Sequence, residues 1–412
     1  MPDGRPSRPR TLVTIIGAGP AGLLLGCLLQ GSGRFDCTIV ENRTRAYVEA
    51  RQRAGLMEHR SVELLRRHGL ADRLLQQGHQ HDSCEFRIDG SAVVVKFGPL
   101  AGAAQYVWPQ HELVIDLIGA FLARGGRVHF DVTDVALDGL TTSWPRVSFR
   151  DPAVGAITLI SSVVVGADGF HGVSRTSVPA RALRCVSHEM EFSWVAVLAQ
   201  TPPSGPHIIY ALHERGFAGH MLRSPYGTSH AGAPPPTTRF YLQCQRGEHI
   251  SSWPDTRIWD ELQTRLGSVE PTWALREGPI TDKTVLPMRS FVAEPMRFGR
   301  LFLIGDAAHT ITPVGAKGMN LALNDARVLY EALLHWASRG DESPLTRFSA
   351  SCLHRVWQSQ AFSNWLTHLI HQPPADAPDF AFHARLRRTR LDTLLSSEPE
   401  LAQFARAYVG VD

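Results

Sequence analysis

Residues suited to chemistry follow a short apolar run near position 300. Leu301 to Ile304 and Gly305 predict a buried parallel strand, and Asp306 stands where that strand ends. In an open α/β sheet, this end of a strand is the usual place for contact with a ligand. After Pro313 the sequence turns into a helix, whose free N–H groups and positive dipole end favour an anion. From this stretch alone, an ordinary strand-loop-helix is an equally good interpretation.

A glycine-rich pattern near the N-terminus predicts a dinucleotide site. The predicted strand Thr11–Ile16 is followed by Gly17-Ala-Gly-Pro-Ala-Gly and an apolar helix. In this G-x-G-x-x-G pattern Gly17 makes the turn, Gly19 admits a pyrophosphate, and Gly22 lets the helix pack closely on the strand. The second strand ends in Glu41, at the distance where an acidic side chain binds ribose hydroxyls. The complete strand-turn-helix context favours a binding site over a structural turn.

Two further candidates are less specific. Arg51 and Arg53 stand in a loop before a helix, where paired arginines beside a nucleotide usually meet phosphates. Solvated charges at a helix start are the alternative. Asp168 follows a buried strand predicted at 160–165 and repeats the arrangement of Asp306, but such a residue alone is more often part of a turn.

Composition limits the class of protein. A chain of 412 residues allows one to three domains, and a net charge of +3 gives no reason to expect a nucleic-acid partner. Residues 1–10 carry arginines without a following apolar core, which predicts a disordered leader rather than a signal peptide. The longest apolar run is too short to span a membrane, and the six scattered cysteines indicate reduced cytosolic thiols. His79-Gln-His-Asp82 has no supporting ligand cluster, so we predict no metal.

The elements that position these residues predict a mixed α/β and α+β fold. We expect a Rossmann-type nucleotide domain that is discontinuous in sequence, formed by 11–80, 100–180 and 287–340. Alternating strands at 194–198, 207–212, 216–223 and 238–244 predict an antiparallel sheet, so we assign 81–99 and 181–286 to a substrate-binding domain. Residues 341–412 form a C-terminal helical region.

With these motifs in place, the sequence resembles the single-component flavoprotein aromatic hydroxylases of the 4-hydroxybenzoate 3-monooxygenase type. The resemblance runs from Val13 to Gly410. It includes Gly-Phe-His-Gly at 169–172 and Gly-Asp-Ala-Ala-His at 305–309. Gly-Ala-Lys-Gly-Met-Asn at 315–320 agrees as well, apart from Met319, where the family typically has leucine.

The resemblance implies FAD and a reduced nicotinamide nucleotide as cofactors. FAD would lie along residues 17–22, with Glu41 on its adenosine ribose and Asp306 on its ribityl chain. NADPH is expected rather than NADH because His171, Arg175 and Arg289 are cationic, although NADH stays an alternative because Asn42-Arg43 departs from the pattern expected beside Glu41. The other cofactor-binding residues that we predict are Arg51, Arg53, Gln110, Asp168, Arg239, Lys317, Gly318, Met319 and Asn320.

On the substrate side, the resemblance implies hydroxylation of a 4-hydroxybenzoate-type acid through a flavin C4a-hydroperoxide. Tyr210, Tyr408 and His81 match a relay that removes the phenol proton, and Pro313 matches a proline whose carbonyl faces the phenol. A histidine suits this task because its ordinary pKa lies near neutrality. Each tyrosine alone is more often a packed core residue than a catalyst, and only the set favours a relay.

Departures from the family occur where the substrate carboxylate would bind. Arg223 and Tyr241 match groups that hold this carboxylate, but Met221 replaces a serine and Gly219 replaces a pocket-lining leucine. Loss of the hydroxyl removes a hydrogen bond worth about 0.5–1.5 kcal/mol. We therefore predict a ring-substituted substrate such as 3-amino-4-hydroxybenzoate, with plain 4-hydroxybenzoate as the alternative.

Other functions share a nucleotide domain. A halogenase would need a lysine and a tryptophan-rich motif that the sequence lacks, and a disulfide reductase would need a redox cysteine pair. A non-catalytic nucleotide-binding sensor would not need Tyr210, Tyr408, His81 and Arg223 together. We therefore expect a cytoplasmic, homodimeric enzyme whose partners are an aromatic acid and molecular oxygen, with no nucleic acid and no membrane.

Overall fold

The computed structural model describes residues 11–52, 55–88, 91–223, 235–267, 270, 272–373 and 378–411. Its strands are β1 Thr11–Ile16, β2 Phe35–Val40, β3 Leu56–Met57, β4 His79–His81, β5 Ser83–Ile88, β6 Ser91–Lys96, β7 Gln105–Val107, β8 Arg127–His129, β9 Thr133–Asp138, β10 Arg146–Asp151, β11 Gly155–Ile160, β12 Val163–Gly166, β13 Arg184–Ala199, β14 Ile208–Leu212, β15 Ala218–Leu222, β16 Thr238–Gln245, β17 Ile280–Glu294, β18 Arg297–Phe298, β19 Leu301–Leu303 and β20 His309–Thr310.

The helices alternate with these strands and then dominate the C-terminal part. They are α1 Pro20–Gly31, α2 Arg45–Ala50, α3 His59–Arg67, α4 Asp72–Gln77, α5 Phe97–Ala101, α6 Gln110–Ala123, α7 Val173–Thr176, α8 Asp255–Leu266, α9 Lys317–Arg339, α10 Ser343–Ile370, α11 Phe380–Ser396 and α12 Glu398–Val409. The predicted mixed α/β class is confirmed. Among the described residues, no helix is long and apolar enough to cross a membrane.

A mainly parallel sheet carries the glycine-rich turn. Its order is β18-β19-β12-β1-β2-β8, with β1 parallel to both β2 and β12, and β12 parallel to β19. Ile16 pairs with Gly166, and Gly166 pairs with Leu303, so three strands end at one edge of the sheet. The strand predicted at 160–165 is in fact two, because β11 ends at Ile160 and β12 begins at Val163.

A second, eight-stranded sheet covers the region predicted to bind substrate. Its order is β20-β17-β13-β16-β15-β14-β5-β6, and its pairs are antiparallel except for β14 with β5. β5 and β6 pair as antiparallel neighbours, and residues 89–90 between them lie outside the described residues. Register places Tyr210 beside Gly219, Gly219 beside Tyr241, and Met221 beside Arg239. Alternate residues of a strand share a face, so these side chains belong to one face of the sheet.

The C-terminal helices close the far side of that face. Tyr408 on α12 is buried in the same apolar cluster as Tyr210 and Phe86 of the eight-stranded sheet. Within the predicted helical region, α10 runs without interruption from Ser343 to Ile370. Its second half carries polar side chains, but Gln360 donates to the Thr310 carbonyl and Ser363 to the Thr312 carbonyl. Tertiary hydrogen bonds therefore complete a helix whose apolar pattern is weak.

A buried ammonium joins three of these helices. Lys317, at the start of α9, donates to Glu58 Oε1 at 2.7 Å and to the carbonyls of Ala407 at 2.6 Å and Tyr408 at 3.0 Å. Glu58 immediately precedes α3, and the two carbonyls end α12. Burial lowers the pKa of Lys317, while Glu58 opposes that shift. The ion pair therefore fixes the end of α12 against the nucleotide domain.

Breaking this ion pair should cost stability. Lys317→Met leaves the Glu58 carboxylate and two helix carbonyls without their donor, which we expect to lower the free energy of unfolding by about 3 kcal/mol. This is the low end of the usual range, because Arg60 also contacts Glu58 at 2.8 Å. Urea unfolding measures the change.

The double variant Lys317→Met with Glu58→Gln should recover part of the loss, because it removes both charges. Arg327→Met, which breaks an exposed pair with Glu331 on the same helix, is the matched control and should change stability little. If the losses of Lys317→Met and Glu58→Gln simply add in the double variant, the buried pair is not what joins these helices.

Candidate active site

The glycine-rich turn meets the requirements for a bound pyrophosphate. Gly17 has φ of +108°, and a Cβ there would collide with the Ala167 carbonyl. A Cβ at Gly22 would collide with the Gly17 carbonyl, so both glycines are fixed by packing. Gly19 has open space where its Cβ would lie, and no side chain caps α1, which starts at the next residue. The free N–H groups of this helix start can therefore bind an anion.

The acidic residues predicted near the nucleotide lie around this turn. Glu41 accepts hydrogen bonds from the backbone N–H of Ala18 at 2.7 Å and of Arg43 at 2.9 Å, so its carboxylate is adjacent to the turn. Asp306 is exposed on a 3-10 turn that follows β19, at the same edge of the sheet. Its carboxylate is therefore accessible to a ligand, as predicted for the ribityl contact.

Asp168 is more enclosed than Asp306. Its Oδ2 accepts from the Ser174 N–H at 2.8 Å, while Oδ1 is buried and has no hydrogen-bond partner within the described part of the chain. Burial raises the pKa of Asp168. One oxygen thus caps the start of α7, as expected for a residue that forms part of a turn.

A buried histidine that the sequence interpretation did not single out supports the Asp306 turn. His309 Nε2 lies 2.6 Å from Asp325 Oδ2, which also accepts from the Gly305 N–H at 3.0 Å. Burial disfavours the charged imidazole, but Asp325 outweighs it and raises the pKa of His309. In the sequence, the sign of this pair is the acidic residue Asp325 on α9. No local pattern connects Asp325 with His309, so the sequence did not predict the contact. Through the hydrogen bond from Gly305, this pair stabilises the turn that carries Asp306.

The residues predicted for the nicotinamide nucleotide form one cluster. The Phe170 ring lies 4.9 Å from the His171 ring, 4.8 Å from the Arg175 guanidinium and 4.1 Å from that of Arg289. His171 is exposed, and Arg175 also donates to the Ala307 carbonyl at 3.0 Å. The structure therefore brings together a cationic patch, and its role in nucleotide binding stays a prediction.

Several of the other predicted cofactor residues lie in the first turn of α9, while Arg51 follows α2 and Gln110 begins α6. Asn320 accepts from the Glu58 N–H at 2.9 Å and donates to the Leu56 carbonyl at 3.1 Å, so it binds the protein through both ends of its amide. The ammonium of Lys317 points to Glu58 and α12, which leaves its backbone at the helix start. Arg53 lies outside the described residues. Arg51 is exposed, whereas Gln110, Gly318 and Met319 are half-buried.

A cavity lies between the eight-stranded sheet, the start of α9 and α12. It brings together seven of the predicted site residues: Tyr210, Tyr408, Pro313, Arg223, Tyr241, Met221 and Arg239. His81 and Gly219 do not line it. The remaining lining residues are Gly55, Leu56, Val107, Pro109, Trp194, Ile208, Leu222, Val314 and Ala316. Their apolar character predicts a cavity for a small ligand with few, well-placed polar groups.

Two tyrosine hydroxyls meet at one side of the cavity. Tyr210 Oη and Tyr408 Oη are 2.5 Å apart, and Tyr210 also donates to the Val314 carbonyl at 3.4 Å. Both side chains are fully buried, and burial raises the pKa of each well above the ordinary value. Since Tyr210 donates to Val314, Tyr408 is the donor between them. The pair is a neutral, hydrogen-bonded unit that can pass a proton in either direction.

His81 lies near this pair without touching it. Its Nε2 is buried and has no hydrogen-bond partner among the described residues, and its ring lies 6.4 Å from Phe97, which packs 5.1 Å from Tyr408. Burial lowers the pKa of His81 to about 4, so the imidazole is neutral near pH 7 and is a weaker proton acceptor than an ordinary histidine. The hydrogen-bonded chain ends at Tyr408, and a relay to His81 needs a bridging water.

Positive charge collects two residues further along the same sheet face. Arg239 is only 6% exposed, and its Nε and Nη2 have no hydrogen-bond partner among the described residues. Burial and the charge of Arg239 lower the pKa of Arg223 to about 10. Arg223 donates to Gln52 Oε1 at 2.8 Å. A buried guanidinium with unmet donors beside a second cation indicates that the cavity takes an anion.

The two departures from the family pattern compensate each other in space. A Cβ at Gly219 would lie 2.9 Å from Phe217 Cζ and 3.1 Å from Met221 Cε. The volume that a larger residue would fill is therefore already occupied by the Phe217 ring and the Met221 methyl. Of the two, Met221 faces the cavity, so the change of shape that a ligand meets comes from Met221.

Comparison with known proteins agrees with this geometry. The family described as FAD binding domain matches residues 10–363. The p-hydroxybenzoate hydroxylase of Acinetobacter baylyi is 37% identical over 403 residues, which cover 98% of this chain and 96% of the relative. A 3-amino-4-hydroxybenzoate 2-monooxygenase of Streptomyces platensis is 28% identical over 411 residues and covers 94% of each. The solved p-nitrophenol 4-monooxygenase of Pseudomonas putida has a TM-score of 0.79 at 17% identity over 96% of each chain, which shows the same fold.

Loss of the Arg239 charge should weaken the binding of an aromatic acid. For Arg239→Met we expect roughly 10–100-fold weaker binding of benzoate, because a hydrogen bond to a charged group is worth about 1.5–3 kcal/mol. The ligand-free protein should not lose stability, since the substitution removes a buried charge with unmet donors. Calorimetric titration measures the affinity, and urea unfolding measures the stability.

Benzamide has the same ring without the charge and is the matched control ligand. Its binding should change little in Arg239→Met. Equal losses for benzoate and benzamide would show that Arg239 maintains the shape of the cavity and does not bind the anion.

Proposed function

Because the chain belongs to the FAD-dependent aromatic hydroxylases of the p-hydroxybenzoate hydroxylase type, we propose that it hydroxylates a 4-hydroxybenzoate-type acid at the expense of NADPH. One observation carries the substrate class. Tyr210 is aligned with Tyr241 two strands away, and Arg239 follows two residues from Tyr241 on the same face of the sheet. A ring with para hydroxyl and carboxyl groups matches this arrangement of a proton acceptor and a buried cation.

The residues of the cavity divide the work between binding and proton transfer. The carboxylate binds Arg223 and Tyr241, as the resemblance implies. Arg239, predicted above as a cofactor-binding residue, lines the same cavity with unmet donors, and we propose that it binds the carboxylate as well. The phenol hydroxyl then lies at Tyr210. For Tyr210 to take its proton, the two tyrosine hydroxyls first reorient so that Tyr210 donates to Tyr408 Oη, and Tyr408 passes its own proton on. Deprotonation makes the ring more electron-rich, and the buried site keeps water away from the reaction. His81 receives the proton by way of water.

The nucleotide edge has the features that FAD requires. The pyrophosphate would meet the open side of Gly19 and the start of α1, Glu41 the adenosine ribose, and Asp306 the ribityl chain. When bound and reduced, FAD would activate molecular oxygen for transfer of one oxygen atom to the ring. The cluster of His171, Arg175 and Arg289 would bind the nicotinamide nucleotide, and its positive charge favours NADPH over NADH.

For the exact substrate we propose a ring-substituted acid such as 3-amino-4-hydroxybenzoate. Met221 lines the cavity where the family has a serine, and a relative that covers 94% of the chain is named for this substrate. Plain 4-hydroxybenzoate is the second candidate, favoured by the relative that is 37% identical. The domain boundaries, the homodimer and the cytoplasmic location stay predictions.

The relay is tested by Tyr210→Phe with 3-amino-4-hydroxybenzoate and 4-hydroxybenzoate. The variant should bind FAD and oxidise NADPH, but product should fall about 100-fold, because general acid–base groups contribute roughly 10²–10⁴-fold. The reducing equivalents should appear as hydrogen peroxide. Raising the pH should recover part of the product, since the phenol then ionises without help. Chromatography of the product and a peroxide assay measure both yields.

Tyr330→Phe, at a half-buried tyrosine on α9 away from the cavity, is the matched control and should behave like the parent. His81→Gln should slow product formation and change its pH dependence, since the neutral imidazole is lost as proton acceptor. Parental product yields in both Tyr210→Phe and His81→Gln would overturn the relay. A protein that hydroxylates neither acid would overturn the proposed substrate class.

Selectivity is tested at Met221 and Gly219 together. Met221→Ser removes the Cε atom that a leucine at 219 would meet, so Gly219→Leu should fit better in the double variant than alone. The double variant should shift preference towards 4-hydroxybenzoate by about 1–3 kcal/mol, the usual effect of shape changes in a pocket. Product formed per NADPH consumed, for both acids, measures this shift. Identical coupling of both acids in parent and variant would show that the two departures are neutral.

A further inference from the structure

A histidine at the end of α10 lies behind the wall of the cavity. The indole Nε1–H of Trp194, which lines the cavity, donates to His371 Nε2 at 2.6 Å. The Nδ1 of His371 lies 2.8 Å from the carbonyl of Thr367, in the last turn of α10. His371 itself does not line the cavity and is only 3% exposed. The hydrogen bond to Trp194 is therefore the polar contact that connects His371 with the cavity wall.

These two hydrogen bonds fix the protonation state of the ring. An indole N–H can only donate and a carbonyl can only accept, so His371 carries its proton on Nδ1 and accepts at Nε2. Burial agrees with this state, because it lowers the pKa of His371 to about 3. The imidazole is thus a fixed, neutral acceptor. It has no free nitrogen with which to join a proton relay.

The ring also belongs to an aromatic stack that reaches the cavity. His371 stacks on Phe192 with centroids 4.4 Å apart and lies 4.8 Å from the Phe217 ring. On its other side, Trp194 packs 4.5 Å from Tyr241, a residue of the cavity wall. A change in the tilt of the indole would therefore move the Tyr241 ring. Stacking alone leaves this tilt adjustable, whereas the hydrogen bond selects one orientation.

The segment after α10 is attached to the same strand pair independently. The Gln372 N–H donates to Gln243 Oε1 at 3.1 Å, and Gln243 Nε2 donates to the Gln372 carbonyl at 2.8 Å. Gln243 is the register partner of Trp194 in the sheet. The backbone next to His371 and the His371 ring are thus both held by hydrogen bonds, so the position of the ring relative to the indole is fixed.

We propose that His371 is a positioning residue that orients Trp194, and through it Tyr241, for binding of the aromatic acid. The inference rests on the proposed function for the nature of the ligand. It gives the end of α10 a part in substrate selection, although α10 contributes no side chain to the cavity wall. Loss of the acceptor should leave the indole N–H unsatisfied and free the ring to tilt.

The test compares two replacements that differ in a single property. His371→Phe keeps a flat ring for the stack but removes the acceptor, and we expect KM for the aromatic acid to rise about tenfold with kcat little changed. His371→Gln loses the ring but offers an amide oxygen, and it should restore most of the affinity. Because glutamine does not titrate, its rescue would also exclude a proton-relay role. Val356→Ala, buried on the same helix in another cluster, controls for loss of packing.

A second measurement does not depend on activity. The indole N–H resonance of Trp194, assigned with Trp194→Phe, should move upfield in His371→Phe and stay near its parental position in His371→Gln. Benzoate titrations of the same samples show whether binding follows the indole. The positioning role is overturned if the resonance moves but the affinity for benzoate does not change. It is also overturned if the His371→Phe variant binds benzoate better than the His371→Gln variant does. If the resonance and benzoate affinity behave as expected but no acid is hydroxylated, the proposed function fails and the positioning role stands.

Discussion

The buried ammonium of Lys317 is the contact on which the geometry of both cofactor edge and cavity depends. It belongs to the first residue of α9, and it bonds to Glu58 before α3 and to the carbonyls that end α12. A lysine buried this completely has lost its hydration, so its charge is compensated by these oxygens and by the Phe362 ring, whose centroid lies 5.0 Å from Nζ. Their positions are consequently coupled. Tyr408 precedes the end of α12, and its hydroxyl is held at Tyr210 by the same anchoring.

The second constraint is the register of the eight-stranded sheet. Tyr210, Gly219 and Tyr241 lie side by side on β14, β15 and β16, and Arg239 follows two residues from Tyr241 on the same face. A shift of one residue in any of these strands would turn its side chains to the opposite face. Hydroxyl and cation therefore keep their spacing without any contact between them. The sheet therefore sets the distance between the two groups of a ligand that would contact Tyr210 and Arg239.

Local patterns predicted the nucleotide edge well, because each element there is determined within a few tens of residues. The resemblance to the flavoprotein hydroxylases and the mixed fold class are confirmed, and the turn at Gly17 and the strand end at Asp306 lie at one edge as expected. The roles of individual residues stay predictions. What the sequence could not predict are contacts between distant segments, such as Lys317 with Glu58 or His309 with Asp325. Gly219 is a similar case, since only packing shows that Phe217 and Met221 occupy its space.

In the proposed mechanism the cavity has two tasks, binding an anion and removing a phenol proton. Its low polarity affects both. Few waters can screen the guanidinium of Arg239, so the charge is costly while the cavity is empty and binds an anion strongly when one enters. The same surroundings raise the pKa of Tyr210, so its hydroxyl is neutral and hydrogen-bonded to Tyr408, and in the proposed mechanism this pair passes on the phenol proton. In the proposed mechanism a bound carboxylate neutralises Arg239 and Arg223. This removes positive charge that would otherwise stabilise a nearby phenolate. Binding and deprotonation are therefore coupled, and the distance that the sheet sets between Arg239 and Tyr210 decides how strongly.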